Sequence, residues 1–217
     1  MEKIIHQIWL GDNELPERER NFILNMKLVN PSFEHRLWYD GNLPELEGEL
    51  GKVYKHFRDA ECWAFAADVM RLFLVYEYGG LYVDVDFEPL RYIEDWCLES
   101  RCGLFYHGDE EDYTISNGLF GLQKGHPLAK HIIDSVNTNN LRGYFPKWLG
   151  RTIKNYYNLD YEVPLSLLKN VMALENIYFP YVRELEGYML HHGLYSWDWN
   201  KKQLFSKRQT YNPFIYN

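Results

Sequence analysis

Apolar and polar side chains alternate without a break along Leu81-Tyr82-Val83-Asp84-Val85-Asp86-Phe87-Glu88. A period of two predicts a strand with Leu81, Val83, Val85 and Phe87 on one face. Tyr82, Asp84, Asp86 and Glu88 then share the other. Pro89 has no N–H for a ladder and predicts the strand's end. Upstream the period changes to that of a helix over 60–78, with Cys62, Phe65, Ala66, Val69, Phe73 and Tyr76 on its apolar stripe and Gly79 at its C-cap. The same reading predicts strands at 4–10 and 35–39 and helices at 17–29 and 46–57, with Asn30-Pro31 closing the first of these helices. Further on it predicts strands at 103–107 and 118–122 and helices at 127–136, 147–157 and 165–174. Short strands follow at 177–179 and 188–192.

Strands and helices alternate through the first half, and no repeat, low-complexity tract or long linker interrupts the chain. The expected fold is therefore a single α/β domain over 1–217, with a mostly parallel central sheet and helices on both faces. Ligands in such folds sit at the carboxyl ends of the strands, where Asp84 and Asp86 fall.

Composition narrows the classes. The chain has 217 residues, 46% of them hydrophobic and 25% charged, which suits one globular domain with a full core. A net charge of −8 argues against a nucleic-acid polymer as partner. Small phosphorylated ligands stay open, because a metal and one arginine supply positive charge locally. The 17% aromatic content suits stacking on bases or sugars and equally suits a bulky core. Cys62, Cys97 and Cys102 show no paired spacing and read as idle thiols in a reducing compartment. The opening apolar run is too short for a signal peptide or a membrane span, so the expected location is cytoplasmic, at most peripheral to a membrane. Lys201, Lys202, Lys207 and Arg208 among the tail aromatics suit either an anionic membrane surface or plain solubility; the net negative charge favours the second.

Clustered carboxylates repel one another unless a cation lies between them. A hard divalent ion such as Mg²⁺ or Mn²⁺, carrying phosphate oxygens, is the usual answer, so Asp84 and Asp86 are candidate metal ligands. Asp68 and Arg71 are three residues apart and share a helix face. They form either a surface ion pair or part of the same cleft, Asp68 accepting from a ribose or sugar hydroxyl and Arg71 holding a phosphate. Trp9 either stacks on a planar base or belongs to the core. His191 or His192 can supply a nitrogen ligand, which Mn²⁺ tolerates better than Mg²⁺. Asn117 either reaches a sugar hydroxyl or makes a turn. The run Asp109-Glu110-Glu111-Asp112 reads as a solvated loop.

Together these residues resemble the Asp-x-Asp glycosyltransferases of GT-A fold, and most closely glycosyltransferase family 32, with a more distant likeness to the glucosylating domain of large clostridial toxins. The resemblance rests on Lys3-Ile4-Ile5-His6-Gln7-Ile8-Trp9-Leu10-Gly11, on Ala66-Ala67-Asp68-Val69-Met70-Arg71, and on Tyr78-Gly79-Gly80-Leu81-Tyr82-Val83-Asp84-Val85-Asp86. Weaker echoes are Gly125-His126-Pro127, Phe179-Pro180, and His191-His192 with Ser196-Trp197. It implies a base stacked on Trp9, a ribose or donor sugar at Asp68 and Arg71, and Asp84 beside the sugar and ribose, with Tyr82 among the candidate donor-binding residues. Asp86 would bind the metal, with His191 or His192, Ser196 and Trp197 closing over the diphosphate. Residues 1–125 would form the nucleotide-sugar and metal half, and 126–217 the acceptor half and closing segment. Two departures stand out: Ala67 replaces the family's usual Ser, and an expected Gly-Pro segment appears only as Tyr144-Phe145-Pro146.

The implied activity is metal-dependent transfer of a hexose with retention. The donor would be UDP-glucose or UDP-galactose, with GDP-mannose as the alternative, and the acceptor a glycan, glycolipid or protein hydroxyl. Asp84, Asp86 and Asn117 are the candidate groups at the reacting centre. Two other classes compete. Aspartyl phosphatases also open on an Asp-x-Asp strand, but they want Thr where this chain has Glu88 and place the motif on the first strand. A nucleotide-sugar-binding domain without catalysis would keep the same donor-side residues.

Overall fold

The computed structural model describes residues 1–93, 102–107, 115–138, 145–179 and 187–192. Within them the strands are β1 (Ile4–Ile8), β2 (Glu34–Trp38), β3 (Gly80–Val83), β4 (Phe87–Pro89), β5 (Gly103–His107), β6 (Ile115–Leu122), β7 (Ile177–Tyr178) and β8 (Met189–His191). The helices are α1 (Glu17–Val29), α2 (Gly48–Asp59), α3 (Trp63–Tyr78), α4 (Pro127–Asp134), α5 (Phe145–Tyr156) and α6 (Leu165–Leu174). Six strands form one sheet in the order β2-β1-β3-β6-β5-β7, and β4 with β8 forms a separate two-stranded ribbon. β1 runs parallel to β2 and β3, and β5 parallel to β7; β6 alone runs against its neighbours. The sheet is thus mostly parallel, as the alternation of elements predicts.

Strand alternation divides the core in two. Ile5, Leu81, Val83, Leu104 and Leu119 point to one face, where Met26 of α1 and Phe87 and Met189 of the ribbon cover them. Ile8, Tyr82, Phe105, Phe120 and Leu122 point to the other, beneath α2 to α6. Helix α3 lies centrally on that second face and is apolar almost all round: Phe65, Ala66, Val69, Met70, Leu72, Leu74 and Val75 are all buried. Its two buried charges, Asp68 and Arg71, therefore need partners within the fold.

The passage from α3 into β3 depends on two glycines. Gly79 has φ +70° and Gly80 φ +92°, conformations that L side chains rarely adopt. A Cβ on Gly80 would also stand 2.5 Å from the Ile4 carbonyl oxygen. These glycines let β3 lie directly beside β1, which aims the end of β3 at the site.

The predicted strand through 81–88 is corrected in one respect. β3 ends at Val83, and Phe87 N–H donates to the Asp84 carbonyl at 3.2 Å, so Asp84-Val85-Asp86 is a turn rather than mid-strand. Leu81, Val83 and Phe87 still reach the same core, whereas Val85 is buried outside it.

Candidate metal and donor site

Asp84 leaves the end of β3, and its N–H donates to the Gly118 carbonyl of β6 at 2.8 Å. The carboxylate turns back over the strand. Its Oδ1 accepts from the Tyr82 hydroxyl at 2.6 Å and lies 3.1 Å from Arg71 Nη2. Position 118 must be small for this: a Cβ there would stand 2.8 Å from Asp84 Oδ2. Glycine inside a strand signals a close approach of this kind, whereas the sequence pattern marks Gly118 only as the start of a strand.

Asp86 closes the turn two residues on. Its backbone carbonyl accepts from His192 N–H at 3.1 Å, which ties the turn to β8. The ribbon register pairs Phe87 with His191, and their rings stack at 4.3 Å with 4° between planes. That stack brings His191 Nε2 to 3.4 Å from Asp86 Oδ1. Asp84, Asp86 and His191 each offer one ligand atom, and these atoms lie within 4.8 Å of one another. Two carboxylate oxygens and one imidazole nitrogen suit a hard or borderline divalent cation, and Mn²⁺ in particular accepts the nitrogen.

His192 faces elsewhere. Its Nε2 is 2.8 Å from Glu88 Oε2 and its ring stacks on Phe22 of α1 at 4.8 Å. The structure thus brings one of the two paired histidines to the carboxylates and gives the other to the ribbon's outer side.

Behind Asp84 lies the buried charge centre of α3. Arg71, only 5% exposed, spends its donors on the protein: Nε on the Ala67 carbonyl at 3.3 Å, Nη1 on the Asn117 carbonyl at 2.6 Å, and Nη2 on Asp68 and Asp84. Its guanidinium also lies over the Tyr82 ring, 4.4 Å from the centroid. So engaged, Arg71 pairs with the carboxylates of Asp68 and Asp84. The Asn117 side-chain amide donates to Asp68 Oδ1 at 2.5 Å. Asp68 is 2% exposed, and its Oδ2 finds no hydrogen-bond donor among the described residues.

Electrostatics follow from this crowding. Burial, only partly offset by Arg71, pushes the Asp68 carboxyl up to about 7. Burial likewise raises Asp84 above the usual carboxylate range, with Arg71 opposing and Asp86 adding to the rise. At His191 burial disfavours the imidazolium, but the hydrogen bond and charge of Asp86, with Asp84 behind it, win and raise it above the usual histidine value. Three carboxylates around one guanidinium leave negative charge that a divalent cation would neutralise.

Trp9 sits just past β1, half-buried, with its indole N–H on the Asn13 carbonyl at 2.7 Å. Ser196, Trp197, the acidic run at 109–112, Cys97 and the basic tail residues lie outside the described residues. Among the described residues no helix is long and apolar enough to cross a membrane.

Comparisons with known proteins bear on the fold and on the region that contains the Asp-x-Asp turn. Residues 16–102 match the family described as "Glycosyltransferase sugar-binding region containing DXD motif". The solved structure of the PaToxG glycosyltransferase superposes with a TM-score of 0.62 at 16% identity, over 81% of this chain and 74% of that one, which shows the fold. Fold and match define a likeness: residues 16–102 resemble a DXD-containing sugar-binding region, set in an α/β fold shared with that solved structure. The chain also resembles curated mannosyltransferases at low identity. It is 28% identical over 154 residues to inositol phosphoceramide mannosyltransferase 3 of Schizosaccharomyces pombe, covering 66% of this chain and 39% of that protein. It is 21% identical over 180 residues to the initiation-specific alpha-1,6-mannosyltransferase of Candida albicans, covering 69% of this chain and 47% of that protein. The chain thus spans less than half the length of these two curated relatives.

Proposed function

We propose that this chain transfers a hexose from a nucleotide-diphosphate sugar to a hydroxyl of a glycan or glycolipid, using a divalent cation held by Asp84, Asp86 and His191. The observation that carries the reading is the convergence of those three side chains at the carboxyl end of β3, within 4.8 Å of one another. A cation bound there would offset charge building on the departing nucleotide diphosphate. The chain's own residues do the rest by position. Tyr82 and Arg71 fix one oxygen of Asp84, leaving Oδ2 turned toward Gly118. Asp68 Oδ2, buried and without a donor among the described residues, is placed to accept from a sugar or ribose hydroxyl. Trp9 serves as a stacking surface for the base, and Ser196 and Trp197 as closing residues over the diphosphate. Residues 1–125 carry the donor side and 126–217 the acceptor side.

The donor is a hexose on UDP or GDP. UDP-glucose and UDP-galactose fit the toxin-like pattern of Trp9 and the Asp-x-Asp turn. The relatives named as mannosyltransferases add weight to GDP-mannose. A thermal-shift panel of UDP, GDP, UDP-glucose, UDP-galactose and GDP-mannose, with and without Mn²⁺, tests the reading. A ligand at a hundred times its Kd adds about 2.7 kcal/mol of stability. The expected result is an Mn²⁺-dependent shift with one nucleotide family, lost in Asp86→Ala. A folded protein that none of the five stabilises would sink it.

A further inference from the structure

Asn117 lies on β6, beside β3 and beneath α3, and it uses two different groups on two different neighbours. Its side-chain amide donates to Asp68 Oδ1 at 2.5 Å, while its main-chain carbonyl accepts from Arg71 Nη1 at 2.6 Å. Arg71 Nη2 in turn lies 3.3 Å from that same Asp68 oxygen and 3.1 Å from Asp84 Oδ1. One residue of β6 therefore closes a ring of contacts that joins α3 to the end of β3. Asp68 Oδ1 is held by two donors, and Oδ2 by none among the described residues. Two donors on one oxygen fix the plane of a carboxylate, and so fix the direction in which the other oxygen presents its lone pairs. An aspartate held by Arg71 alone would keep freedom to exchange its oxygens by rotation about its terminal torsion.

We propose that Asn117 is a positioning residue: it aims Asp68 Oδ2 at the donor sugar and does not itself touch the sugar. The proposal rests on the reading of Asp68 as an acceptor, and of the two hydroxyls open to it, sugar or ribose, it commits to the donor sugar's. It assigns Asn117 a role distinct from the reacting-centre contact that its sequence position suggests. Substituting the side chain leaves the Asn117 carbonyl, and with it the hold on Arg71 and Asp84, in place. The metal ligands and the diphosphate contacts should therefore be spared, and only the sugar should bind less well.

Calorimetric titration in Mn²⁺ of the wild type, Asn117→Ala, Asp68→Ala and the double variant tests this. The ligands are UDP, GDP, UDP-glucose, UDP-galactose and GDP-mannose. Asn117→Ala is expected to weaken the bound sugar nucleotide about tenfold, a typical coupling for neighbours in one hydrogen-bond network. The bare nucleotide diphosphate should stay within about twofold, because its contacts are untouched. In the Asp68→Ala background the same substitution should cost nothing further. Asn117→Gln, which keeps an amide donor, should recover part of the loss, and it replaces Asn117→Ala in the cycle if the latter does not fold. Equal losses in both Asp68 backgrounds would mean direct contact with the sugar and overturn the proposal. So would an equal loss of bare nucleotide, or no loss at all. A folded wild type that binds none of the five overturns the proposed function itself and this role with it, and that outcome is visible before any variant is made.

Discussion

Two buried polar clusters sit on opposite margins of β3, and they differ in whether their hydrogen bonds close. In the first, His6 of β1 is fully buried between β2 and the end of α3. Its Nε2 donates to the Gly79 carbonyl at 2.8 Å, and its Nδ1 accepts from the Trp38 indole N–H at 3.1 Å. Trp38 and Tyr78 stack beside it, with Arg36 over the Tyr78 ring. Both imidazole nitrogens are used in one neutral tautomer. In the second, Asp68, Asp84 and Asp86 crowd one guanidinium, and Asp68 keeps an oxygen with no donor among the described residues. The first arrangement is complete without a ligand and makes sense as architecture. The second keeps an open oxygen and excess negative charge, which the proposed function fills with a cation and a hydroxyl. Both clusters place polar groups in the interior, and it is the unfinished hydrogen bonding that separates their uses.

The sharpest way to break this contrast is to remove His6. His6→Ala leaves the Gly79 carbonyl and the Trp38 indole N–H without their partner and opens a cavity. It should destabilise the fold by about 3–5 kcal/mol, the scale of truncating a large buried ring to alanine, with two partners left unpaired. Denaturant unfolding reads that loss, while Mn²⁺ affinity of the folded fraction should stay within about twofold. If His6→Ala instead keeps full stability and loses Mn²⁺ binding, the architectural reading of the first cluster fails.

A second test uses the opposite signs of the two clusters' proton linkage. Burial holds His6 down to about 4 against an ordinary 6.5, whereas burial pushes Asp68 up to about 7 against 3.8. Between pH 6.5 and 4 the unfolded chain therefore carries a proton at His6 that the native chain lacks, so acid costs stability there. Between pH 3.8 and 7 the native chain carries a proton at Asp68 that the unfolded chain lacks, so its stabilisation is lost as pH rises through that range. Over the overlap the two slopes oppose each other. Asp68→Asn removes one of them: relative to wild type, it should lose about 3 kcal/mol between pH 7 and pH 4. It should also be the more stable chain near pH 8, where the wild type holds a buried, ionised carboxylate. Urea unfolding across pH 4–8 measures both, and parallel profiles for the two proteins would contradict this account.

The sequence-based reading of these regions succeeded where local signals decide. Helices α1 and α6 start and stop at the predicted residues because Pro16 and Pro164 precede them and apolar positions recur through each. Asp68 and Arg71 meet because three residues on a helix is contact distance. Helix α3 begins at Trp63 and not at residue 60, since Glu61 takes φ +52° and breaks the start. The turn at 84–86 was hidden for a subtler reason: Leu81, Val83 and Phe87 serve one core on both sides of it, so the apolar period persists while the backbone leaves the sheet. His191 joins Asp86 only through the ribbon of β4 and β8, a pairing across a hundred residues that no local period encodes. Gly118 was legible as glycine in a strand, but what it makes room for, Asp84, required the β3–β6 register.

The smallest expected effect separates two neighbouring residues of that ribbon. His191 and His192 are adjacent in sequence, and strand alternation turns one toward Asp86 and the other toward Glu88 and Phe22. The Glu88–His192 pair faces solvent, where such pairs contribute about 0–1 kcal/mol, and the ring stack on Phe22 adds about 0.5–1 kcal/mol. His192 does reach the site through its backbone, whose N–H holds the Asp86 carbonyl at 3.1 Å, but that bond survives any side-chain substitution except proline. His192→Ala should therefore lower Mn²⁺ affinity less than about threefold, with a small loss of stability. His191→Ala should lower it by about tenfold or more, the scale seen when groups at a metal site are removed. Titration of both variants with Mn²⁺ gives the ratio directly. The reverse order would mean that the ribbon shifts by one residue when metal binds. A one-residue slip carries every side chain of a strand to the other face, so it would also expose Met189, which is now buried against Phe87 and Leu104 in the core. That added cost is what favours His191 over His192 as the proposed ligand.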